Sequence, residues 1–384
     1  MAADLRGRAA IAGVAESHLG EVGPGVTPLD LIGEATAAAL SDAGVVKAEV
    51  DGLFTASSHY NLPTLSVAEY LGIRPRYSDA TNIGGSSFVA HLLHAALAIE
   101  AGLCSTALIV YGSTQRSDTG ALVSRSELLE HEAPFRPRYP VTMYALAAAR
   151  HMHDFGTTSE QLAEIAVAAR GWANLNPRAF ARGPLSVDDV LGSRMVSSPL
   201  HVRDCCLVTD GGGAVVVTSA ERARDLRRPP VHLLGAGEAT SHRHISQMPD
   251  LTVTAARESG AQAFAMAGLR VADVDVVEVY DAFTITTLLF LEDLGFCAKG
   301  DGGPFASGGR IAPGGELAVN TNGGGLSYCH PGMYGIFLII EAARQVRGEA
   351  GERQQPGVDV AVVHGNGGVL SSEVTVLLGS GATV

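Results

Sequence analysis

Ala43-Gly44-Val45-Val46-Lys47-Ala48-Glu49-Val50-Asp51 and Ala267-Gly268-Leu269-Arg270-Val271-Ala272-Asp273-Val274-Asp275 are one phrase written twice. In each, an Ala-rich helical stretch stops at a glycine, which takes the left-handed conformation of a helix C-cap without strain, and an acidic turn then feeds an apolar strand. Two further pairs keep the same order. Gly13-Val14-Ala15-Glu16 follows an apolar run as Gly235-Ala236-Gly237-Glu238 does, and Leu108-Ile109-Val110-Tyr111-Gly112 is matched by Ala361-Val362-Val363-His364-Gly365. One short match is within chance, but three collinear matches in the same contexts predict a duplicated α/β domain.

Each half then runs strand, long connection, helix, strand, helix, strand. Helices are expected over 88–101 and 333–346 as counterparts, each entered from a Gly-rich turn and left into a buried strand, which is the grammar of a covered sheet. The halves are expected to be residues 1–225 and 226–384. The stretch 113–203, with helices expected over 140–155 and 159–174, has no twin and is expected to be an insertion in the first half that covers the site and shapes the substrate pocket.

At 46% apolar and 17% charged residues, the composition fits a compact enzyme and excludes a disordered chain or a coiled coil. The formal charge of -13 argues against a nucleic-acid partner. Lys47 and Lys299 are the only lysines, so an anionic ligand must be held by arginines, helix N-termini or backbone amides. Cys104, Cys205, Cys206, Cys297 and Cys329 are odd in number and form no CxxC pair, which fits reduced thiols in a cytoplasmic protein and gives no zinc-ribbon site. The opening Met1 to Arg8 has no secretory character, and no apolar run reaches the ~18 residues of a membrane span.

Four polar or Gly-rich turns fall at the ends of expected strands, where α/β sheets gather ligands. Asn82-Ile83-Gly84-Gly85-Ser86-Ser87 opens a helix, and its amides can hold an oxyanion or a phosphate, or it is simply a tight turn capped by Ser86. It is not a nucleophile elbow, because position 88 is Phe88. Tyr280-Asp281-Ala282-Phe283 can supply a general acid/base and its orienter, or a half-buried Tyr with a capping Asp. Asn320 to Gly332, which contains Gly323-Gly324-Gly325 and Tyr328-Cys329-His330-Pro331, is hard to explain by packing. The fourth turn is His364-Gly365-Asn366-Gly367-Gly368. His151 and His153 face apart on a helix and Ser241-His242-Arg243-His244 is a polar loop, so no metal site is expected.

Taken together, the duplication, the Tyr-Asp-Ala-Phe turn, Cys329-His330-Pro331 and the final His-Gly-Asn-Gly-Gly turn resemble the thiolase superfamily over nearly the whole chain. Asp204-Cys205-Cys206 with Asp210-Gly211-Gly212 is similar to its sterol-carrier or lipid-transfer-protein branch. The resemblance implies a duplicated thiolase fold, two βαβαβ-type halves packed as α-β-α-β-α layers. It also implies acyl-CoA substrates, with His330 polarising a thioester oxygen and His364 as the acid/base of the last motif. Thiolases carry an acyl-accepting Cys at the position that falls here on Gly84, and an Asn where this chain has Tyr280.

The pattern is closest to thiolase-like aldolases that cleave the side chain of steroid acyl-CoA esters, which have glycines in place of the nucleophile and two tyrosines in the site. By that resemblance the expected activity is a carbon–carbon lyase acting on a β-hydroxyacyl-CoA. Tyr280 or Tyr328 would be the base, Asp281 or His364 a relay, and His330 with the amides around Gly84, Gly85 and Gly368 would hold the enolate. Two alternatives stand beside it: an acetyl-CoA acetyltransferase or 3-ketoacyl-CoA thiolase in which Cys329 serves as a moved nucleophile, and a non-catalytic subunit that binds acyl-CoA or lipid. The resemblance further implies a homodimer and a separate OB-fold partner of zinc-ribbon type, with coenzyme A present only as part of the substrate and no metal in this chain.

Overall fold

The computed structural model describes residues 5–121 and 129–384; residues 122–128, within the expected insertion, lie outside the described residues. The first half supplies β1 (Ala9–Glu16), β2 (Gly52–Thr55), β3 (Tyr77–Asp79) and β4 (Thr106–Ser113). A small antiparallel pair follows, β5 (Met195–Ser197) with β6 (Leu200–His201), and then β7 (Gly211–Ser219). The second half supplies β8 (Val231–Thr240), β9 (Val276–Val279), β10 (Ala318–Val319), β11 (Val360–Gly367) and β12 (Ser372–Gly379).

The first-half strands lie side by side as β3-β2-β4-β7-β1 and those of the second as β10-β9-β11-β12-β8. The two orders superpose strand for strand, and so do the directions. β2 and β9 run parallel to both neighbours, while β7 and β12 are antiparallel to theirs. The two five-stranded sheets are joined into one ten-stranded sheet where Ala10 and Ile11 of β1 pair with His232 and Val231 of β8.

Among the described residues eight helices have nine or more residues: α1 (Pro28–Ala43), α2 (Pro63–Leu71), α3 (Ser87–Glu100), α4 (Val141–Phe155), α5 (Ser159–Asn174), α6 (Ala256–Ala267), α7 (Thr284–Asp293) and α8 (Gly335–Arg347). The repeated phrase does what its residues predict. α1 and α6 end on Gly44 (φ 72°) and Gly268 (φ 63°), both left-handed.

The paired glycines of β1 and β8 have a shared cause. Each follows a break in strand register, and each lets a helix lie directly on the sheet, because a Cβ at Gly13 would stand 2.7 Å from the Cβ of Ala43 and one at Gly235 2.9 Å from that of Ala267. Helices α3 and α8 sit between the sheets. α3 packs on β4 and β7 as well as on β11 and β12, and α8 on β9 and β11 as well as on β1 and β7. With α1 and α6 on the outer faces this gives α-β-α-β-α layers. Ile336, Phe337, Leu338, Ile339 and Ile340 of α8 are all buried, as a helix apolar on every side must be.

Candidate active site

The strands β9 and β11 and the turns before α3 and α8 end at one cavity of about 580 Å³. Its walls include Ile83, Gly84 and Gly85 from the turn before α3, and Tyr280, Ala282 and Phe283 after β9. His330, Gly332 and Met333 come from the turn before α8, and Asn366, Gly367 and Gly368 from the end of β11. Tyr139, Pro140 and Tyr144 reach it from the stretch without a twin.

Backbone crowding fixes how the two halves meet here. A Cβ on Gly84 (φ 79°) would lie 2.7 Å from the Gly368 nitrogen, and one on Gly335 would collide with the Gly85 carbonyl, so side chains are excluded where the turns touch. Gly85 faces Tyr280. A Cβ there would be 2.6 Å from the phenol oxygen and closer still to the ring, so the ring occupies the space that any side chain at 85 would need.

Tyr280 Oη lies 3.0 Å from His330 Nε2, accepts the Tyr334 backbone N–H at 3.0 Å and is 3.4 Å from the Gly332 carbonyl. The rings of Tyr280 and His330 meet edge-on at 5.6 Å. His330 is clamped through its backbone: its N–H donates to Thr209 Oγ1 at 3.0 Å and its carbonyl accepts Gln115 Nε2 at 2.6 Å. From the first half, Tyr111 donates to the Pro331 carbonyl at 2.5 Å and accepts the Met333 N–H at 3.1 Å. Burial pulls the His330 imidazole down to about 4 and pushes the Tyr280 phenol well above its usual range, so at neutral pH one is a neutral base and the other a neutral acid.

The structure thus brings Tyr280, His330, Gly84, Gly85 and Gly368 together and sets four other expected site residues apart from the cavity wall. Tyr328 is buried in a five-residue π-helical turn, Gly324–Tyr328, and donates to Glu16 Oε1 at 2.7 Å. Arg344 grips the same carboxylate with two contacts of 2.5 Å, and Arg178 lies at 3.3 Å. Burial alone would raise Glu16, but Arg344, then Arg178 and Tyr328, hold it down to about 2.

Asp281 accepts the N–H groups of Gly325 (2.6 Å) and Leu326 (3.2 Å), bracing that same turn; burial raises its carboxyl to about 7. His364 lies three residues inside the end of β11, bonded to Thr375 (2.8 Å) and Glu373 (3.0 Å) and packed on Phe290. Cys329 is fully buried and burial pushes its thiol well up, so it has neither access nor thiolate character. Gly84 donates its own N–H to Asn82 Oδ1 over 3.3 Å.

Tyr144, Asn366 and Cys206 line the cavity as well, and the sequence reading gave none of them a role in the site. Tyr144 on α4 accepts the Asn366 Nδ2 N–H at 2.9 Å, donates to the Gly368 carbonyl at 3.3 Å and packs on Phe283 at 4.4 Å between centroids with the rings tilted by 31°. Asn366 stood in the quoted fourth turn, and strand geometry carries the signal: two residues along a strand is ~7 Å, so it is Asn366 and not His364 that reaches the mouth. Cys206 also lines the cavity, with its thiol pushed well up by burial. Among the described residues no group of three or more His, Cys, Asp or Glu side chains is arranged to hold a metal ion. No described helix is long and apolar enough to cross a membrane.

Residues 237–380 match the family described as thiolase C-terminal domain-like. A steroid side-chain-cleaving aldolase of Thermomonospora curvata is 34% identical over 385 residues, covering 94% of this chain and 96% of the relative. The chain belongs to the thiolase superfamily. Within the superfamily an acetyl-CoA acetyltransferase of Methanothermobacter thermautotrophicus is also 34% identical, over 374 residues, with 94% of this chain and 96% of that protein covered. The solved structure titled Ltp2-ChsH2(DUF35) aldolase superposes with a TM-score of 0.89 at 33% identity, over 98% of this chain and 99% of that one. This thiolase-superfamily chain therefore has both lyase and acyltransferase relatives of nearly its own length.

Proposed function

We propose that the chain is a thiolase-superfamily carbon–carbon lyase that cleaves a bulky β-hydroxyacyl-CoA by retro-aldol chemistry, with coenzyme A as part of the substrate. One observation carries the choice between lyase and acyltransferase: Tyr280 stands where a side chain at 85 would be, and neither Gly84 nor Gly85 offers a nucleophile. Thiolase-type acyl transfer needs a thiolate in the cavity, and the one thiol among its described lining, Cys206, is held protonated by burial.

In the proposed reaction the substrate hydroxyl gives its proton to Tyr280 as Tyr280 passes its own to His330 Nε2. The Cα–Cβ bond breaks, its electron pair moves onto the thioester as an enolate, and the proton returns at Cα. The products are a ketone or aldehyde and a shortened acyl-CoA. Acting as a pair removes the need for a free phenolate, which burial disfavours at Tyr280. The enolate oxygen is assigned to the backbone around Gly85 and Gly368, with the imidazolium formed on His330 adding charge stabilisation. Tyr328, Asp281 and His364 are assigned supporting roles outside the cavity.

A steroid-like acyl group is proposed from the name of the aldolase relative and from the cavity volume, which lies inside the ~300–1,000 Å³ of small-molecule sites. A homodimer formed through the free edge strand β3, a separate OB-fold partner of zinc-ribbon type, a cytoplasmic location and a division into halves at 225/226 complete the proposal. The partner draws support from the DUF35 component in the neighbour's title.

The test is to incubate the purified chain, alone and with such a partner, with a β-hydroxyacyl-CoA and follow products by mass spectrometry. A carbonyl product with a shortened acyl-CoA supports the lyase. Release of free CoA with transfer of the acyl group from a 3-ketoacyl-CoA would replace it with the acyltransferase. Tight acyl-CoA binding with no turnover of either ester would leave a binding subunit.

A further inference from the structure

Asn366 and Glu373 stand opposite each other in the antiparallel pair β11/β12, so their side chains share one face of the sheet, with Cβ atoms about 4.5–5.5 Å apart. Both are buried, and one oxygen of each, Asn366 Oδ1 and Glu373 Oε1, has no hydrogen-bond partner among the described residues. Their other polar atoms are committed. Asn366 Nδ2 donates to Tyr144 Oη at 2.9 Å, and Glu373 Oε2 lies 3.0 Å from His364 Nε2. His364 Nδ1 lies 2.8 Å from Thr375 Oγ1, which in turn is 2.9 Å from Ser259 Oγ. A polar chain thus runs from Ser259 on α6 across two strands to Tyr144 at the cavity, and its one gap lies between the two orphaned oxygens.

Two acceptor oxygens can satisfy each other only by sharing a proton, and here the carboxyl can supply it. The one ion-pair partner of Glu373 among the described residues is His364. Burial and then the Asp293 carboxyl push Glu373 well above the usual carboxylate range, and burial takes His364 down to about 3, so at neutral pH acid and imidazole are both uncharged. With the acid proton on Oε1 the whole chain is matched: Oε1 donates to Asn366 Oδ1, His364 Nε2 donates to Oε2, and the Thr375 hydroxyl donates to His364 Nδ1. The same proton decides which way the amide faces. An ionised Glu373 would draw the Asn366 amide N–H groups to itself, and the amide oxygen would then take the Tyr144 proton. A protonated Glu373 holds the amide oxygen and turns the nitrogen toward Tyr144. The Tyr144 proton is then left on a 3.3 Å contact to the Gly368 carbonyl, long for an O–H donor and readily exchanged for a charged acceptor in the cavity.

We propose that Glu373 is a positioning residue that works as a neutral acid, fixing the Asn366 amide so that Tyr144 offers its proton to the enolate oxygen beside Gly368. This rests on the lyase reading above. Tyr144 joins the backbone there as a donor to charge that develops only during the reaction, so the contribution appears in kcat and not in binding.

The experiment compares Glu373→Gln, which keeps a donor for Asn366 Oδ1 and an acceptor for His364, with Glu373→Leu, which keeps neither. Glu373→Gln is expected to hold kcat within about threefold and Glu373→Leu to lose about ten- to a hundredfold, with binding of a non-cleavable acyl-CoA ester within about threefold in both. Tyr144→Phe is expected to lose about a hundredfold, and adding Glu373→Leu to it costs little more, because both act through one hydroxyl. A parental kcat in Glu373→Leu, or a loss in Glu373→Gln as large as in Glu373→Leu, overturns the assignment. Infrared difference spectra of the parent against Glu373→Gln at pH 7 read the proton without turnover and need only the conservative variant. The C=O stretch of one protonated carboxyl is expected, and a carboxylate signature in its place overturns the neutral acid. A chain that shows the acid stretch yet cleaves no ester fails the lyase reading and leaves the contact between Glu373 and Asn366 standing.

Discussion

The turn that leads into α3 and the turn that leads into α8 hold the same place in the two halves, and they are filled in opposite ways. The first, Ile83-Gly84-Gly85-Ser86, has no side chain at its centre; the second, Cys329-His330-Pro331-Gly332-Met333-Tyr334, packs an imidazole and an aromatic ring into the same position. They touch through their backbones at Gly85 and Gly335, so each limits what the other can carry. Duplication supplied two equivalent strand-end turns at one cavity, and emptying one gave Tyr280 its place beside the other. The chemistry is therefore expected to sit almost wholly in the second half, with the first contributing space and backbone.

That asymmetry is broken most directly at Tyr280. Tyr280→Phe keeps the ring against Gly85 but removes the oxygen that meets His330, and cleavage is expected to fall by about 10²–10⁴ in kcat. Binding of the acyl-CoA should stay within about threefold, since uniform binding does not depend on that oxygen. Both are read from initial rates and from titration of a non-cleavable ester. A variant that keeps parental kcat would put the acid/base elsewhere in the cavity, with Tyr144 the first candidate.

Buried titratable groups of both halves are expected to shape the acid limb of stability. His330 and His364 are buried with folded values near 4 and 3, below their ordinary 6.5, and His91 in α3, near 4, adds a third. Between those values and 6.5 the unfolded chain binds protons that the folded chain refuses, so these three imidazoles lower stability as pH drops from about 6.5 toward 4, while the raised carboxyls of Asp281, Glu278 and Glu373 act in the opposite sense. Glu16 acts in a lower window. Its folded value near 2 lies below the ordinary 4.5, so its contribution is complete above about 4.5 and is lost as pH falls toward 2. Denaturant midpoints measured from pH 8 to 4 on the parent and on His91→Gln should differ by an amount that changes as pH falls below about 6.5, and profiles that stay parallel down to 4.5 would contradict the imidazole contribution.

The empty turn is tested at Gly85. Gly85→Ala inserts a Cβ against the Tyr280 ring and is expected to cost about 1–3 kcal/mol, as overpacking does, and to lower cleavage by displacing the phenol. Adding Tyr280→Ala should return most of the stability and none of the activity. A double-mutant cycle with no coupling between the two positions would show that the glycine is there for its backbone alone.

How much of this was legible depended on the range of the signal. The duplicated phrase fixed the αL caps Gly44 and Gly268 and the paired glycines of β1 and β8, because each rule is local and the two copies vouch for each other. The helix over 159–174 matched its expected span and those at 88–101 and 140–155 shifted by a residue, whereas the one expected from 333 begins at Gly335. There the chain first completes a π-helical turn and the His330 segment, for which sequence periodicity has no template. In the site, Tyr280 and His330 were legible because they belong to strand-end turns. Tyr144 was not, since it sits in the first turn of a helix in the untwinned stretch and owes its place to Asn366 and Gly368, more than two hundred residues away.

Tyr328 was misplaced for the mirror reason. Two positions before His330, it shares a motif with the site, but its hydroxyl goes to Glu16 at the end of β1, a partner no local rule announces. Its replacement yields the smallest effect and the sharpest contrast with Tyr280. Tyr328→Phe removes one donor to a carboxylate that keeps Arg344 and Arg178, so the expected cost is about 1.5 kcal/mol, the low end for a hydrogen bond to a charged group. Because the phenol is remote from the cavity, kcat should remain within twofold. The unfolding midpoint and the rate are measured on the same preparation. A large loss of kcat with parental stability would return Tyr328 to the catalytic machinery and end the separation of the two tyrosines; a stability loss alone would show that this tyrosine ties the π-helical turn of the second half to the first strand of the other.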